Sequence, residues 1–207
     1  MEGEHLIQEA YMAGFLQMVL WQKDVPYQDI ETYQVSADII EKLSNVKSNQ
    51  GMIGVCRFQR LDALNHHVLL LDGIQDPGNM GTLIRSAVAF NFDTIVVEQC
   101  VDLYNAKVIR ATQGAIFKIN LIEMPILSFM DHHPNITYMA TDLSATDSVI
   151  HESKQPLGLI LGNEGAGVRS SLLNKANQTI KIQMTHTESL NVAVAGSILM
   201  YELGGVK

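Results

Sequence analysis

The sequence predicts an α/β protein built around a parallel sheet, and three observations point there. Short apolar runs of strand length alternate with amphipathic stretches along most of the chain. Two of those runs, 68–71 and 157–161, are apolar at every position, as strands buried in a core are. Three loops that follow apolar runs carry glycine, asparagine and charged residues, at the place where parallel sheets put ligand sites. In chain order, residues 4–13 are expected to be helical, with Leu6, Ala10 and Ala13 on one face and Gly14 as the stop. Residues 16–21 read as a strand. Ser36 is expected to cap a short helix with acidic residues in its first turns. A strand at 51–58 and a polar connection at 59–67 follow, and a domain boundary is placed in that connection. The second block reads as a strand at 68–71, a polar turn over 72–80 and a helix at 81–90. Next come a strand at 94–97, a helix at 106–112, strands at 137–140, 157–161 and 180–182, and a closing helix at 190–203.

Composition narrows the function classes. With 47% apolar and 17% charged residues in 207, the chain is globular rather than disordered. No apolar run reaches membrane-spanning length, and the opening Met-Glu-Gly-Glu-His lacks the charged-then-apolar pattern of a leader. Cys56 and Cys100 sit in apolar company without disulfide or metal-ligand spacing, so free thiols, a cytoplasmic location and no metal are expected. The net charge of −8 weighs against a polyanionic partner. Overall charge is not local charge, however. Arg57 lies near Arg60, and Lys107, Arg110 and Lys118 lie close together, which leaves room for a basic face on an acidic body.

The loops carry the chemistry. The first runs from Asp72 to Arg85, where Pro77, Gly78 and Gly81 tighten the path and Asn79 and Arg85 offer donors. Read alone, it could equally be a plain strand–helix turn with a surface arginine. The second, Gly162-Asn-Glu-Gly-Ala-Gly167, offers bare backbone N–H groups to a ligand. Its spacing and its late position do not fit a dinucleotide fingerprint. The third, residues 180–191, leads into a helix rich in small residues, which is expected to pack its backbone closely, against another subunit among other choices. Ser189 and Asn191 are candidate caps for that helix. His186 is assigned no role.

Taken in order, these segments resemble the three signature motifs of the SPOUT superfamily, in its SpoU/TrmH-type branch of RNA ribose 2′-O-methyltransferases. The matching residues are Asp76-Pro-x-Asn79-x-Gly81 with Arg85, then Gly162-Asn163-Glu164-Gly165-x-Gly167, then Glu188-Ser189-Leu190-Asn191-Val192. Asp102-Leu-Tyr and Arg110-Ala-Thr-x-Gly-Ala-Ile-Phe117 add a weaker match between the first and second. The similarity covers about residues 67–207. Residues 1–60, through Glu2-Gly-Glu-His5, Glu9-Ala10 and Ser48-x-Gln50-Gly51, resemble the small ribosomal-protein-like RNA-binding domain that many members carry, here expected to be short at its N-terminus. Some positions depart from the family pattern. Gln183 replaces a usual proline, the glycine before Glu188 is missing, Ser86 stands where threonine is common, and Asn91 where glycine is.

The resemblance implies a catalytic domain over 67–207 with a deep trefoil knot, an exception to the rule against knots. It implies S-adenosylmethionine as cofactor, held at Gly162, Ile182 and Leu190, and a homodimer. It also implies a catalytic constellation of Asn79, Arg85, Glu164, Ser189 and Asn191. A ribose hydroxyl is a weak nucleophile, so the enzyme must align it with the methyl donor and stabilise the developing alkoxide. Arg85 is the expected cation, because a guanidinium keeps its proton and does not serve as a base. The 2′-hydroxyl selects RNA over DNA, and the extra N-terminal domain favours ribosomal over transfer RNA. Two alternatives stay open: a transfer-RNA methyltransferase, and a non-catalytic RNA-binding or assembly protein on the same scaffold.

Overall fold

The computed structural model describes residues 1–23, 27–46, 48–57, 67–145 and 156–204. The chain begins with α1 (Glu4–Met12), β1 (Leu16–Trp21), β2 (Glu31–Gln34), α2 (Ala37–Leu43) and β3 (Met52–Cys56). It continues through β4 (His67–Asp72), α3 (Pro77–Ala89), β5 (Phe92–Glu98), α4 (Ala106–Thr112), a 3-10 turn (Ala115–Lys118) and β6 (Asn120–Glu123). Next come α5 (Ile126–His132), β7 (Thr137–Thr141), β8 (Leu157–Gly162), α6 (Ser170–Lys175), β9 (Gln178–Ile180) and α7 (Val192–Leu203).

Strands β4 to β9 form a six-stranded sheet in the order β6-β5-β4-β8-β7-β9, with every neighbouring pair parallel. Successive side chains on a strand point to opposite faces, and the cores divide accordingly. Leu69 and Leu71 join a core with Leu83, Ile84, Val108 and Leu199 from α3, α4 and α7. Val68 and Leu70 face the other way, onto Phe129 of α5 and Leu172 of α6. Helices therefore cover both faces, which is why the central strands read as continuous apolar runs. The chain steps outward from β4 to β5 and β6, and its later strands fall on the other side, with β8 against β4. That reversal opens a crevice at the carboxyl ends of β4 and β8.

Glycines allow the closest approaches. A Cβ on Gly81 would lie 2.2 Å from the Cβ of Ala111, so α3 and α4 pack backbone to backbone there. One on Gly196 would lie 2.6 Å from side chains of both Leu161 and Leu83. The small residues of α7 thus find their close partner inside the chain, where the sequence left another subunit open. The Ser86 hydroxyl keeps a contact that threonine would also make, 2.7 Å from Ser197 Oγ on α7. Asn91 has a φ of 65°, a left-handed conformation that glycine adopts freely and asparagine tolerates.

The first strands form a separate three-stranded sheet, β2-β1-β3. Its core takes Ile7, Phe15, Leu16 and Val19 together with Ile116 and Phe117 from the 3-10 turn. Lys118 and Glu9 add an ion pair at 2.7 Å across the same junction. Residues 58–66, where most of the connection and the domain boundary are expected, lie outside the described residues. The Cys56 and Cys100 thiols are free, and burial pushes that of Cys56 up to about 11. No described helix is long and apolar enough to cross a membrane.

Several elements differ from the sequence expectation. Helix α3 starts at Pro77, inside the expected turn, because Asp76 caps it and proline suits the first helical position. Ser36 precedes α2, but its side chain makes no capping hydrogen bond. The last strand pairs with β7 over Gln178–Ile180, which leaves Ile182 in the following loop.

An ion cluster locks the crevice from behind. Arg169 Nε lies 2.7 Å from Asp72 Oδ1, and its Nη atoms reach both oxygens of Glu98, at 3.1 and 2.6 Å. The Arg169 backbone N–H also donates to Asp72 Oδ2 at 3.0 Å. Burial pushes the Glu98 carboxyl upward, but hydrogen bonds from Arg169 and the Ile126 amide, with the Arg169 charge, hold it below its ordinary 4.5. Asp72 is only 3% exposed, so Arg169→Met would strand a buried carboxylate. A loss of about 3 kcal/mol is expected at pH 7, the low end for a broken buried pair because the guanidinium is partly exposed. A carboxylate held below its unfolded pKa stabilises above that value and ceases to as pH falls through the folded one. Denaturant titrations should therefore show the gap between wild type and variant narrowing from pH 7 to pH 3.

Candidate active site

The crevice is walled by the loop between β4 and α3 and by the glycine loop after β8. Asn163 opens the second as an Asx turn: its Oδ1 accepts the backbone N–H of Gly165 at 2.9 Å and of Ala166 at 3.1 Å. Its Nδ2 donates to the Gly73 carbonyl at 2.8 Å, tying the two loops together. A Cβ on Gly162 would lie 2.1 Å from both the carbonyl carbon of Gly167 and the nitrogen of Val168. Glycine is therefore required there because the loop folds back on itself. Gly167 has a φ of 71° and open space where its Cβ would stand.

A directional chain of hydrogen bonds joins all three motif loops. Asn79 Nδ2 donates to Glu164 Oε1 at 3.0 Å, and Asn191 Nδ2 donates to Asn79 Oδ1 at 2.9 Å. Asn191 Oδ1 in turn accepts the backbone N–H groups of Ala193 and Val194 at the start of α7. At the other end, Asp76 Oδ1 accepts the Asn79 backbone N–H at 2.8 Å and caps α3. Burial pushes the Glu164 carboxyl upward, but the Asn79 amide and the surrounding backbone donors outweigh it and hold its pKa below 4.5. Glu164 is thus a carboxylate near neutral pH and can only accept.

Three of the five residues expected in the constellation, Asn79, Glu164 and Asn191, are therefore in contact. Ser189 lines the adjoining cleft, and its carbonyl accepts the Thr187 hydroxyl at 3.0 Å. It does not cap α7; Asn191 does. Arg85 is exposed on α3, about 120° around the helix from Asn79. It makes no hydrogen bond or ion pair with any described residue. His186 is exposed as well.

Beside the chain lies a cleft of about 400 Å³. Gly162, Ile182 and Leu190 all line it, with Asp142 and Lys181 among its polar members. Sequence reasoning passed over Asp72, Asn163 and Arg169. Asn163 carried a signal, an asparagine between a strand and a glycine run. The partnership of Asp72 with Arg169 carried none, since it joins positions 97 residues apart. Among the described residues, no group of three histidine, cysteine or acidic side chains could hold a metal ion.

The chain is similar to known proteins along nearly its whole length. A 23S rRNA (guanosine(2553)-2′-O)-methyltransferase of Bacillus subtilis, RlmP, is 35% identical and aligns with 99% of this chain and 87% of its own length. The structure of an AdoMet-bound rRNA methyltransferase from Sinorhizobium meliloti superposes with a TM-score of 0.84 at 23% identity, over 98% of this chain and 85% of that one. A structure described as an RNA 2′-O ribose methyltransferase matches with a TM-score of 0.78 at 27% identity, over 97% of this chain and 85% of its own. The sequence profile of the SpoU rRNA Methylase family matches residues 66–201, and the chain belongs to that family.

Proposed function

We propose that this chain transfers a methyl group from S-adenosylmethionine to a ribose 2′-hydroxyl of RNA, with ribosomal RNA the favoured substrate. The observation that carries the reading is the Glu164–Asn79–Asn191 chain, which sets polar side chains from all three motif loops beside a cleft of ligand size. The name of the Bacillus relative supports the ribosomal substrate.

The cleft suits the cofactor. Leu161, Ile180, Ile182 and Leu190 give it apolar walls for the adenine ring and thioether chain, and the open space at Gly167 lets a ligand meet bare backbone. Bound there, the cofactor supplies an electrophilic methyl sulfonium. The protein holds the hydroxyl. Glu164 fixes the Asn79 amide, and Asn79 fixes Asn191, so the polar groups at the mouth of the cleft are set before RNA arrives. Arg85 has no partner within the described chain, which leaves its planar fork free for a phosphate or an alkoxide.

In the same reading, residues 1–60 form the RNA substrate-binding domain and 67–207 the catalytic domain. The trefoil knot belongs to it too. Its support is the return of the chain from the edge strand β9 to α7, which lies against the central strand β8. A homodimer in the cytoplasm completes the picture. Val194, Ile198 and Tyr201, 48%, 37% and 60% exposed, form an apolar row at helical spacing on α7. An isologous contact would bury the row on both copies.

Three experiments test the reading. Calorimetry with S-adenosylmethionine and single-turnover methylation at saturating ribosomal RNA should give binding and a 2′-O-methyl product; binding without product would leave only a scaffold. In these assays Arg85→Ala should keep cofactor affinity and lower the rate by roughly two to three orders of magnitude. Arg85→Lys should recover part of that loss, and a full rate for the alanine variant would remove Arg85 from the chemistry. In light scattering the wild type should give twice the chain mass of 22.9 kDa and Ile198→Lys the single mass. A wild-type monomer would contradict the dimer.

A further inference from the structure

A second, wider and more open cavity, of about 460 Å³, lies where the N-terminal block meets α4. Glu4, His5 and Gln8 of α1, Gln50 ahead of β3, and Arg110 and Gln113 at the end of α4 line it. Its volume is within the range of ligand pockets. The walls are fixed. Gln50 Oε1 accepts the Glu4 backbone N–H at 2.8 Å, holding the start of α1 to the loop before β3. Gln113 follows α4 with a φ of 50°, a conformation uncommon outside glycine and asparagine, and its Nε2 donates to the Arg110 carbonyl at 2.8 Å. Arg110 donates from Nε to the Ala106 carbonyl at 3.3 Å, and its two Nη atoms bond to no described residue.

The charge balance says what fits. Glu2 also borders the cavity, its carboxylate held by the Ser44 hydroxyl and the Asn45 backbone N–H, so the lining carries two carboxylates against one guanidinium and the His5 imidazole. A phosphate would meet repulsion from both acids. A nucleobase edge would not, because it presents donors to carboxylates and side-chain carbonyls, and acceptors to a guanidinium or amide N–H. Proteins that read RNA by sequence act on unstacked bases in this way. The cavity is also coupled to the motif loops: Ala111, next to Arg110, is the residue that Gly81 of α3 packs against, two positions from Asn79.

We infer that this cavity takes one unstacked base of the substrate RNA, read on its edge by Arg110, Gln113 and Gln50, and so helps select which RNA is methylated. This rests on the RNA methyltransferase reading above. The test is equilibrium binding of the full chain, without cofactor, to unmodified large-subunit ribosomal RNA transcribed in vitro, over a series of salt concentrations. Arg110→Gln and Gln113→Gly should each weaken binding by roughly 5- to 150-fold, the loss for one base contact. Melting temperature and S-adenosylmethionine affinity should stay at wild-type values. The slope of log K against log salt should also be unchanged. A slope shallower by about 0.7 to 0.9 for Arg110→Gln would mark a phosphate contact and overturn the base-edge assignment. Unchanged affinity in both variants would overturn the site itself. If Arg110→Gln melts early, Gln113→Gly decides, since glycine accepts the backbone conformation at that position. Wild-type protein that binds the transcript but yields no methylated ribose would leave the pocket standing and overturn the proposed reaction instead.

Discussion

A carboxylate has no proton to give near neutral pH, and that constraint sets the orientation of the two amide side chains that join the motif loops. Glu164 can only accept, so Asn79 must turn its NH₂ toward it. The Asn79 oxygen is then left to accept, and Asn191 must supply an NH₂ in turn. The Asn191 oxygen is left facing the unpaired N–H groups at the start of α7, which is what a helix N-terminus requires. One ionised group thus propagates a single donor direction across three loops that are far apart in sequence. Aspartate at position 79 or 191 would break it, because a second acceptor would face the first.

The three loops are not held equally. The first and second form one rigid unit, joined at the front by Asn163 to the Gly73 carbonyl and at the back by Arg169 to Asp72. Both joints lie at the carboxyl ends of β4 and β8, which pair residue for residue from Val68 with Gly158 to Asp72 with Gly162. The third loop is tied to that unit through Asn191. The residues that the third loop gives to the cleft wall, Ile182 and Leu190, therefore depend on the same amide that completes the polar chain. This is a physical reason for binding and alignment to be coupled: whatever seats the third loop also orients Asn79.

Much of this was legible in the residues. The apolar runs at 68–71 and 157–161 announced central strands, and the motif loops fell at their carboxyl ends. Asn79, Glu164 and Asn191 were named from motifs whose residue types suit hydrogen-bonded work, and the fold brings the three into contact. Other features were hidden for stateable reasons. The strand Glu31–Gln34 has no apolar alternation because it is an edge strand with both faces largely exposed. The start of α3 was placed late because apolar periodicity begins only at Met80, although the Asp-Pro pair was the better signal. The register of β9 depends on pairing with β7, which no local pattern encodes. Gly162 looked like an opening for a ligand, yet its own loop occupies the space its side chain would need. Arg85 was named from its motif, and nothing local shows what it meets.

Asn79 and Asn191 act as one unit in this account of the site. A double-mutant cycle measures this directly, with Asn79→Ala, Asn191→Ala and the double variant compared in single-turnover methylation at saturating cofactor and RNA. If the amides form one chain, the second substitution should add little to the first, giving a coupling energy of about 1 kcal/mol or more. Losses that add to within roughly 0.5 kcal/mol would show two independent side chains and contradict the claim.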